Sequence, residues 1–292
     1  MTDPDSRPQD LCDETKIEKF DYPGRELEAM DSAANYHRWI LEIFEPFLGD
    51  HLVEVGAGLG SFSQLILERH RCQTLSLVEP SNSMYEDLVA NAQRLSIAGS
   101  AGVSPAMSAK REKFEHSAGR GNATDAGGTP AVPVRIDTYH GTFPQCAPLI
   151  KSNQVPDSII YVNVLEHIAD DKLELEVIRE TLSSTGHVFL FVPALAWLFG
   201  AFDERVGHLR RYTKSEVEEK LKDAGFKITL SRYFDLPGIG PWWVKYCLLK
   251  SATMEPAGVR LYDRFVVPVA RRIESIISPP LGKNVIAIAQ KG

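Results

Sequence analysis

Residues 51–60, HLVEVGAGLG, decide the fold of this 292-residue chain. The first five are short and mostly apolar, as in a buried strand, and the glycines that follow predict a tight turn. Residues 61–70 carry apolar side chains at helical spacing. The stretch therefore predicts a strand, a glycine-rich turn that a ligand can approach closely, and a helix. A turn of this kind occurs in many nucleotide-binding proteins and is a weak signal alone.

The alternation of strands and helices continues along the chain and predicts an α/β fold with a mostly parallel sheet covered on both faces. The further predicted strands are 74–78, 134–139, 158–162, 187–192, 227–233 and 285–289. The further predicted helices begin near residue 31 and lie at 81–96, 170–182, 213–224, 242–249 and 258–277.

The remaining segments predict additions to this sheet. Residues 1–20 are polar and predict a flexible leader, and 21–49 predict lid helices. Residues 97–133, rich in Gly, Ala and Ser, predict a loosely packed insertion into the domain 50–292. Residues 236–280 predict a helical cap, whose amphipathic end favours a packed subdomain, with a homodimer face or a weak membrane-surface contact as alternatives.

Composition excludes several functional classes. The net charge of −7 disfavours nucleic acid as a partner. The four cysteines have no metal-binding spacing, so we expect no metal and a reducing, cytoplasmic setting. No stretch approaches the roughly 20 apolar residues of a transmembrane segment.

Two acids sharpen the interpretation of the glycine turn. Glu79 ends the second predicted strand, where a carboxylate can accept hydrogen bonds from both hydroxyls of a ribose. Glu54 lies beside the turn, where a carboxylate suits a cation and disfavours the pyrophosphate of NAD. S-adenosylmethionine carries a sulfonium and an ammonium and no phosphate, so this pair of acids favours it as the ligand.

With these residues the chain resembles the class I S-adenosylmethionine-dependent methyltransferases over roughly residues 22–234, apart from the insertion. The motif EVGAGLG at 54–60 matches the family's first motif, and YVNVLEHI at 161–168 matches the fourth-strand motif of the branch that includes ubiquinone methyltransferases. VPA at 192–194 and GHLRRY at 207–212 resemble bacterial small-molecule members of that branch. The resemblance implies a Rossmann-like seven-stranded sheet with an N-terminal helical lid and C-terminal helical additions.

The resemblance also implies roles for individual residues. The glycine turn and the end of the fourth strand should meet the methionine part, the second-strand acid should hold the ribose, and residues 140–143 should contact adenine, where the family's usual acid is absent unless Asp137 supplies it. The implied cofactor residues are Tyr22, Tyr36, Glu54, Gly56, Ala57, Gly58, Glu79, Pro80, Gly141, Thr142, Phe143, Asn163, Val164 and His167.

Acceptor and acid–base residues are expected after the fourth and fifth strands, where sites gather in open α/β sheets. The catalytic candidates are His167, His208 and Asp203, with local structural roles as the alternative. Residues 193–212 predict a substrate cap, with Trp197, Phe199 and Arg211 as substrate contacts.

The expected reaction is methyl transfer to a small molecule at oxygen, nitrogen or carbon. Three alternatives stay open: cyclisation or cleavage of the cofactor's own side chain to release methylthioadenosine, a cofactor-binding module without catalysis, and an NAD-dependent oxidoreductase, which Glu54 disfavours.

Overall fold

Seven strands form one mixed sheet in the computed structural model, which describes residues 33–100 and 134–292. The predicted leader, Tyr22 and all but the first four residues of the predicted insertion lie outside these ranges. The strands are β1 (His51–Val55), β2 (Thr74–Glu79), β3 (Arg135–His140), β4 (Ser158–Val162), β5 (His187–Pro193), β6 (Phe226–Phe234) and β7 (Asn284–Lys291).

The strand order is β3-β2-β1-β4-β5-β7-β6. Strands β1 to β5 pair in parallel, and β7 is antiparallel to both β5 and β6. Parallel strands place their carboxyl ends at the same edge of the sheet, and the order reverses direction at β1 and β4. The predicted Rossmann-like, mostly parallel, seven-stranded fold is therefore confirmed.

Ten α-helices of the described residues surround the sheet. They are α1 (Ala34–Phe44), α2 (Ser61–Arg69), α3 (Asn82–Ser100), α4 (Phe143–Asn153), α5 (Asp171–Thr181), α6 (Ala201–Arg205), α7 (Lys214–Asp223), α8 (Ile239–Trp242), α9 (Pro256–Phe265) and α10 (Val267–Glu274). A π-helical turn, Trp243–Leu248, continues α8.

Two hydrophobic cores lie on opposite faces of the sheet, because β1, β4 and β5 carry apolar side chains on both faces. Helices α4, α5 and α7 bury their apolar faces against one side. Helices α1, α2, α3 and α10 cover the other. Both cores hold the strands rigid, and the strand ends are therefore fixed where the site is expected.

Two helical segments differ from the sequence-based expectation. Helix α4 was not predicted, although Thr142 and Gln145 form a capping box at its start. The single helix expected at 258–277 is two helices that meet at Val266. Pro268 explains the break, since it has no backbone N–H to continue the hydrogen-bond ladder. Within the described ranges, no helix combines the length and the apolar character needed to cross a lipid bilayer.

Candidate cofactor and acceptor site

The glycine loop after β1 packs directly against the loop after β4. Gly56 has a positive φ of 69°, and a Cβ atom built on it would lie 2.5 Å from Cγ2 of Val164. The backbone N–H groups of Gly56 and Ala57 both donate to the carbonyl of Val78. Glycine is thus required at position 56 for both its conformation and its space. The contact brings two of the predicted cofactor segments together.

Glu79 lies at the end of β2 with its side chain buried beneath the loop. Its Oε2 accepts a hydrogen bond of 2.8 Å from the backbone N–H of Gly58, and its Oε1 accepts one of 2.9 Å from Ser81. These bonds fix the carboxylate, and each oxygen keeps a lone pair for a further donor. Burial raises the pKa of Glu79, while the two backbone N–H groups act in the opposite direction. Pro80, the next residue, is half-buried.

Glu54 is buried on β1 and accepts a very short hydrogen bond from the hydroxyl of Ser63 on α2. Burial raises the pKa of Glu54 to about 8, with a smaller increase from the neighbouring Glu79. With a pKa of about 8, this side chain is mostly protonated at neutral pH. A cation bound near it would favour the ionised form.

Residues 140–143, which are expected to contact adenine, lie partly at the surface and partly in the core. Gly141 has a positive φ of 139°, and its N–H donates to the carbonyl of Glu79 at 3.2 Å. Thr142 is the N-cap of α4. The Phe143 side chain is buried against Tyr161, with ring centroids 6.1 Å apart, so it supports the core and does not face an open crevice.

A pocket of about 280 Å³ opens beside these loops, between the ends of β4, β5 and β7 and the C-terminal helices. Asn163, which has a positive φ of 55° at the end of β4, joins the pocket to the expected methionine side of the cofactor. The aromatic side chains that line the pocket are Tyr36, Phe191, Phe202, Trp242, Tyr246 and Tyr262. The pocket is therefore suited to a largely apolar molecule.

Lys283 is a half-buried cation at one side of this pocket. Its Nζ lies 3.2 Å from Asp235 and 4.9 Å from the centre of the Tyr36 ring. The hydroxyl of Tyr36 donates to the same aspartate at 3.1 Å. Tyr36 thus faces the pocket from α1, and its hydroxyl also lies 3.0 Å from Oδ1 of Asn284 on β7. A lid over the cofactor stays a prediction.

His208 and Arg211 form the opposite polar side of the pocket and share one buried acid. Nδ1 of His208 lies 2.7 Å from Asp203 Oδ1, and Arg211 donates to the same oxygen at 2.9 Å. The two partners lower the pKa of Asp203 against the effect of its burial, so it remains ionised. Asp203 is fully buried, and its contact with Nδ1 orients the ring of His208, while an acid–base role for Asp203 stays a prediction.

Glu166 and His167 complete a polar cluster beside His208. Glu166 is fully buried, and Oε1 lies 3.7 Å from Nε2 of His208. Neither of its carboxylate oxygens has a hydrogen-bond partner among residues 33–100 and 134–292. Burial raises the pKa of Glu166 to about 7 and lowers that of His167 to about 4. The ligand atoms of the three side chains lie within 4.8 Å of one another, so in the described part of the chain this cluster could hold a metal ion. The sequence predicted no metal, and that stays a prediction.

Two of the predicted substrate contacts do not reach the pocket. Trp197 is 55% exposed, and Phe199 is half-buried outside the lining. Leu195 has a positive φ of 66° before the 3-10 turn Ala196–Leu198, in which Leu198 is buried and Trp197 is exposed. Of the three predicted contacts only Arg211 lines the pocket, and its guanidinium lies 4.6 Å from the ring centre of Trp242.

A protein family described as "Methyltransferase domain" matches residues 27–231. No curated protein sequence is significantly similar to the chain.

Three solved structures show the same fold at low identity. A chain from the complex of the Haloferax volcanii Trm112 methyltransferase activator with its methyltransferase aligns with a TM-score of 0.53 and 13% identity, over 92% of this chain and 94% of that one. A SAM-dependent methyltransferase from Archaeoglobus fulgidus gives 0.50 and 13%, over 91% and 97%. Haemonchus contortus phosphoethanolamine N-methyltransferase 2, in complex with S-adenosyl-L-methionine, gives 0.50 and 13%, over 91% and 57%.

These findings confirm the predicted fold, the resemblance to class I enzymes and S-adenosylmethionine as the cofactor, and they leave the branch within the class open. Since the matched segment covers more than half of the sequence, this chain belongs to the methyltransferase domain family.

Proposed function

We propose that this chain transfers the methyl group of S-adenosylmethionine to a largely apolar small molecule bound in the pocket beside Asn163. The supporting observation is the position of Asn163, which directly follows β4, precedes the Val164 that packs against the glycine loop, and lines the pocket. A cofactor on the expected residues would thus present its methyl group toward this cavity.

The acceptor-binding part of the proposal rests on the shape and chemistry of the pocket. Its walls are mainly aromatic, and two of its three cations, Lys283 and Arg211, are each paired with a buried aspartate. The third, Lys245, lies 5.3 Å from the ring centre of Tyr246 and suits a single negative charge on the acceptor. An aromatic or otherwise flat acceptor with one ionisable group fits such walls by stacking and area burial.

The chemical step is an in-line displacement at the methyl carbon. The acceptor atom forms a bond to the methyl group while the bond from carbon to sulfur breaks, and the electron pair stays on sulfur as neutral S-adenosylhomocysteine. The sulfonium already activates the methyl group, so the protein has to align the two reactants and exclude water. The helices around the pocket would do both.

A weakly acidic acceptor must also lose a proton, and His208 is the residue we assign to accept it. It lines the pocket, while its Nδ1 contacts ionised Asp203 and its Nε2 is directed toward Glu166. This arrangement orients the ring and stabilises the imidazolium that forms. His167 suits the role less, because its lowered pKa makes it a weak base.

The test is incubation with S-adenosylmethionine and a panel of phenols, amines and carboxylic acids, with mass spectrometry of all products. We expect a methylated acceptor and S-adenosylhomocysteine in equal amounts. His208→Gln should lower turnover at least roughly 100-fold, as for loss of a general base, with unchanged cofactor affinity. His187→Gln, at the opposite edge of the sheet, is the matched control.

Other outcomes would contradict the proposal in distinguishable ways. Methylthioadenosine without a methylated product would indicate cyclisation or cleavage of the cofactor. Cofactor binding with no product across a broad panel would indicate a binding module. Equal turnover in His208→Gln and the wild type would remove His208 from the mechanism.

A further inference from the structure

The outward side of α9, α10 and the turn that follows carries a continuous apolar stripe. Five of its members recur every four residues, and Ile276 is an additional one. In the described part of the chain, each of these side chains is more than half exposed. They are Leu261, Phe265, Val269, Ile273, Ile276 and Ile277. We call this set the C-terminal stripe. Soluble monomers rarely expose so many large apolar side chains on one helical face.

The exposed charges within segment 256–277, which carries the C-terminal stripe, are of one sign. The exposed ionisable residues of segment 256–277 are Arg260, Arg264 and Arg272. The acids of that segment, Asp263 and Glu274, are buried and accept hydrogen bonds from backbone N–H groups of other elements. Within this segment the exposed charges are therefore all cations, whereas Glu255 is exposed at the N-cap of α9 and the chain as a whole has a net charge of −7.

We propose that the C-terminal stripe docks on a lipid surface that contains anionic headgroups. An amphipathic helix with large apolar residues on one face and arginines at its borders lies in the interfacial plane of a bilayer, where both kinds of side chain are satisfied. Each arginine near an anionic surface adds about fivefold to the affinity. The long arginine side chains can also extend to the headgroups while the apolar groups insert.

A second copy of this chain fits the same face less well. A twofold contact places each patch against itself. The three arginines of one copy would then approach those of the other, with no exposed acid in segment 256–277 to pair with them. Like charges in an apolar interface are costly, whereas an anionic bilayer complements them.

The same two helices connect this surface to the pocket. Val259, Tyr262 and Val267 lie on their inner side and line the cavity. If the pocket holds the acceptor, docking would bring its wall to the membrane, and the acceptor would be a molecule that partitions into lipid. This extension rests on the proposed function, whereas docking itself does not.

Docking is tested by sedimenting the full chain with two kinds of vesicle. One contains phosphatidylcholine alone, and the other also contains roughly 30 mol% of the anionic lipid phosphatidylglycerol. We expect pelleting with the anionic vesicles, at least tenfold weaker binding to neutral ones, and a decline as salt screens the charges. The triple variant Arg260→Gln, Arg264→Gln and Arg272→Gln should lose at least tenfold in affinity for anionic vesicles, as should Phe265→Ser with Ile273→Ser.

The matched control is Leu173→Ser, an equally exposed leucine on α5 outside the stripe, which should bind as the wild type does. Absence of pelleting, or equal loss in the control, would overturn the proposal. A concentration-dependent dimer in sedimentation velocity that Phe265→Ser with Ile273→Ser abolishes, without vesicle binding, would assign the stripe to a second copy. Vesicle binding without any methylated product would uphold docking while contradicting the proposed function.

Discussion

Glu79 at the end of β2 accepts a 2.8 Å hydrogen bond from the backbone N–H of Gly58, in the loop after β1. The bond ties the acid expected to hold the ribose to the loop expected to meet the methionine part. The carboxylate is therefore preorganised before any ligand arrives, and the energy of ordering it is not lost on binding.

Replacement of this acid should weaken the cofactor strongly. A hydrogen bond to a charged group contributes about 1.5–3 kcal/mol, so losing two ribose contacts in Glu79→Ala should raise the Kd for S-adenosylmethionine by roughly 100-fold or more. Calorimetric titration measures it, with Glu86→Ala, an exposed acid on α3, as the control. An unchanged Kd would contradict the ribose assignment.

The two glycines of the loop should respond differently to the same substitution. Gly58→Ala meets no atom within 4 Å and introduces only the positive φ of 56°, so it should cost about 1–2 kcal/mol of unfolding free energy. Gly56→Ala adds the contact with Val164, for about 1–3 kcal/mol more. Urea unfolding measures both.

The steric clash between a methyl group at position 56 and Val164 can be tested separately from the cost of the backbone conformation. Val164→Ala removes Cγ2, the atom 2.5 Å from the added methyl group. In the double variant Gly56→Ala with Val164→Ala, part of the loss should therefore be recovered. Independent, additive effects of the two substitutions would show that the loop relaxes without using this contact.

Cofactor binding should release a proton from Glu54. Its pKa is raised to about 8 by burial, and a bound cation lowers it, so near pH 7 binding shifts the side chain from protonated to ionised. Calorimetry at pH 7 in two buffers of different ionisation enthalpy should show the release, and affinity should rise with pH up to about 8. Above that pH Glu54 is already ionised, so cofactor binding should no longer release a proton from it.

Glu54→Gln provides the control for this proton. The amide keeps the size of the side chain and cannot ionise, so any proton still released comes from the ligand or from other groups. Identical proton release in the variant and in the wild type would place the cation away from Glu54.

The cofactor residues that local sequence pattern indicates most clearly lie in one strand–loop–helix–strand stretch. The glycine loop, Glu54 and Glu79 follow from local pattern, because parallel strands bring their ends together in any such sheet. Helix α4, which was not predicted, also has a local sequence signal in the capping box of Thr142 and Gln145. Pro144 and Pro148 obscure its helical pattern.

The acceptor side could not be predicted in the same way, since it depends on contacts between distant parts of the chain. Strand β7 enters the sheet between β5 and β6, so Asn284 pairs with Pro193 and with Phe234. The position of β7 places Lys283 beside Asp235, and no spacing in the sequence indicates that these two residues are in contact. Trp242 and Tyr246 likewise take the place expected for Trp197 and Phe199.

A buried pair beneath the site should make stability depend on pH. Tyr161 on β4 donates a 2.5 Å hydrogen bond to Glu174 on α5, and burial raises the pKa of Glu174 to about 7. The folded protein therefore holds a proton there that the unfolded chain, with a pKa of about 4.5, releases between these two values. Stability must fall as pH rises from about 4.5 to 7, by on the order of 3 kcal/mol for this group.

Glu174→Gln isolates this contribution, because the amide resembles the protonated acid and does not titrate. The free energy of unfolding of the variant relative to the wild type should rise between pH 5 and pH 8, measured by urea denaturation at each pH. Glu54 and Glu166 have raised pKa values as well, and the subtraction cancels their common effect. Glu176→Gln, exposed on the same helix, should leave the pH dependence unchanged. If the variant and the wild type keep a constant difference across this range, Glu174 ionises in the folded state as easily as in water.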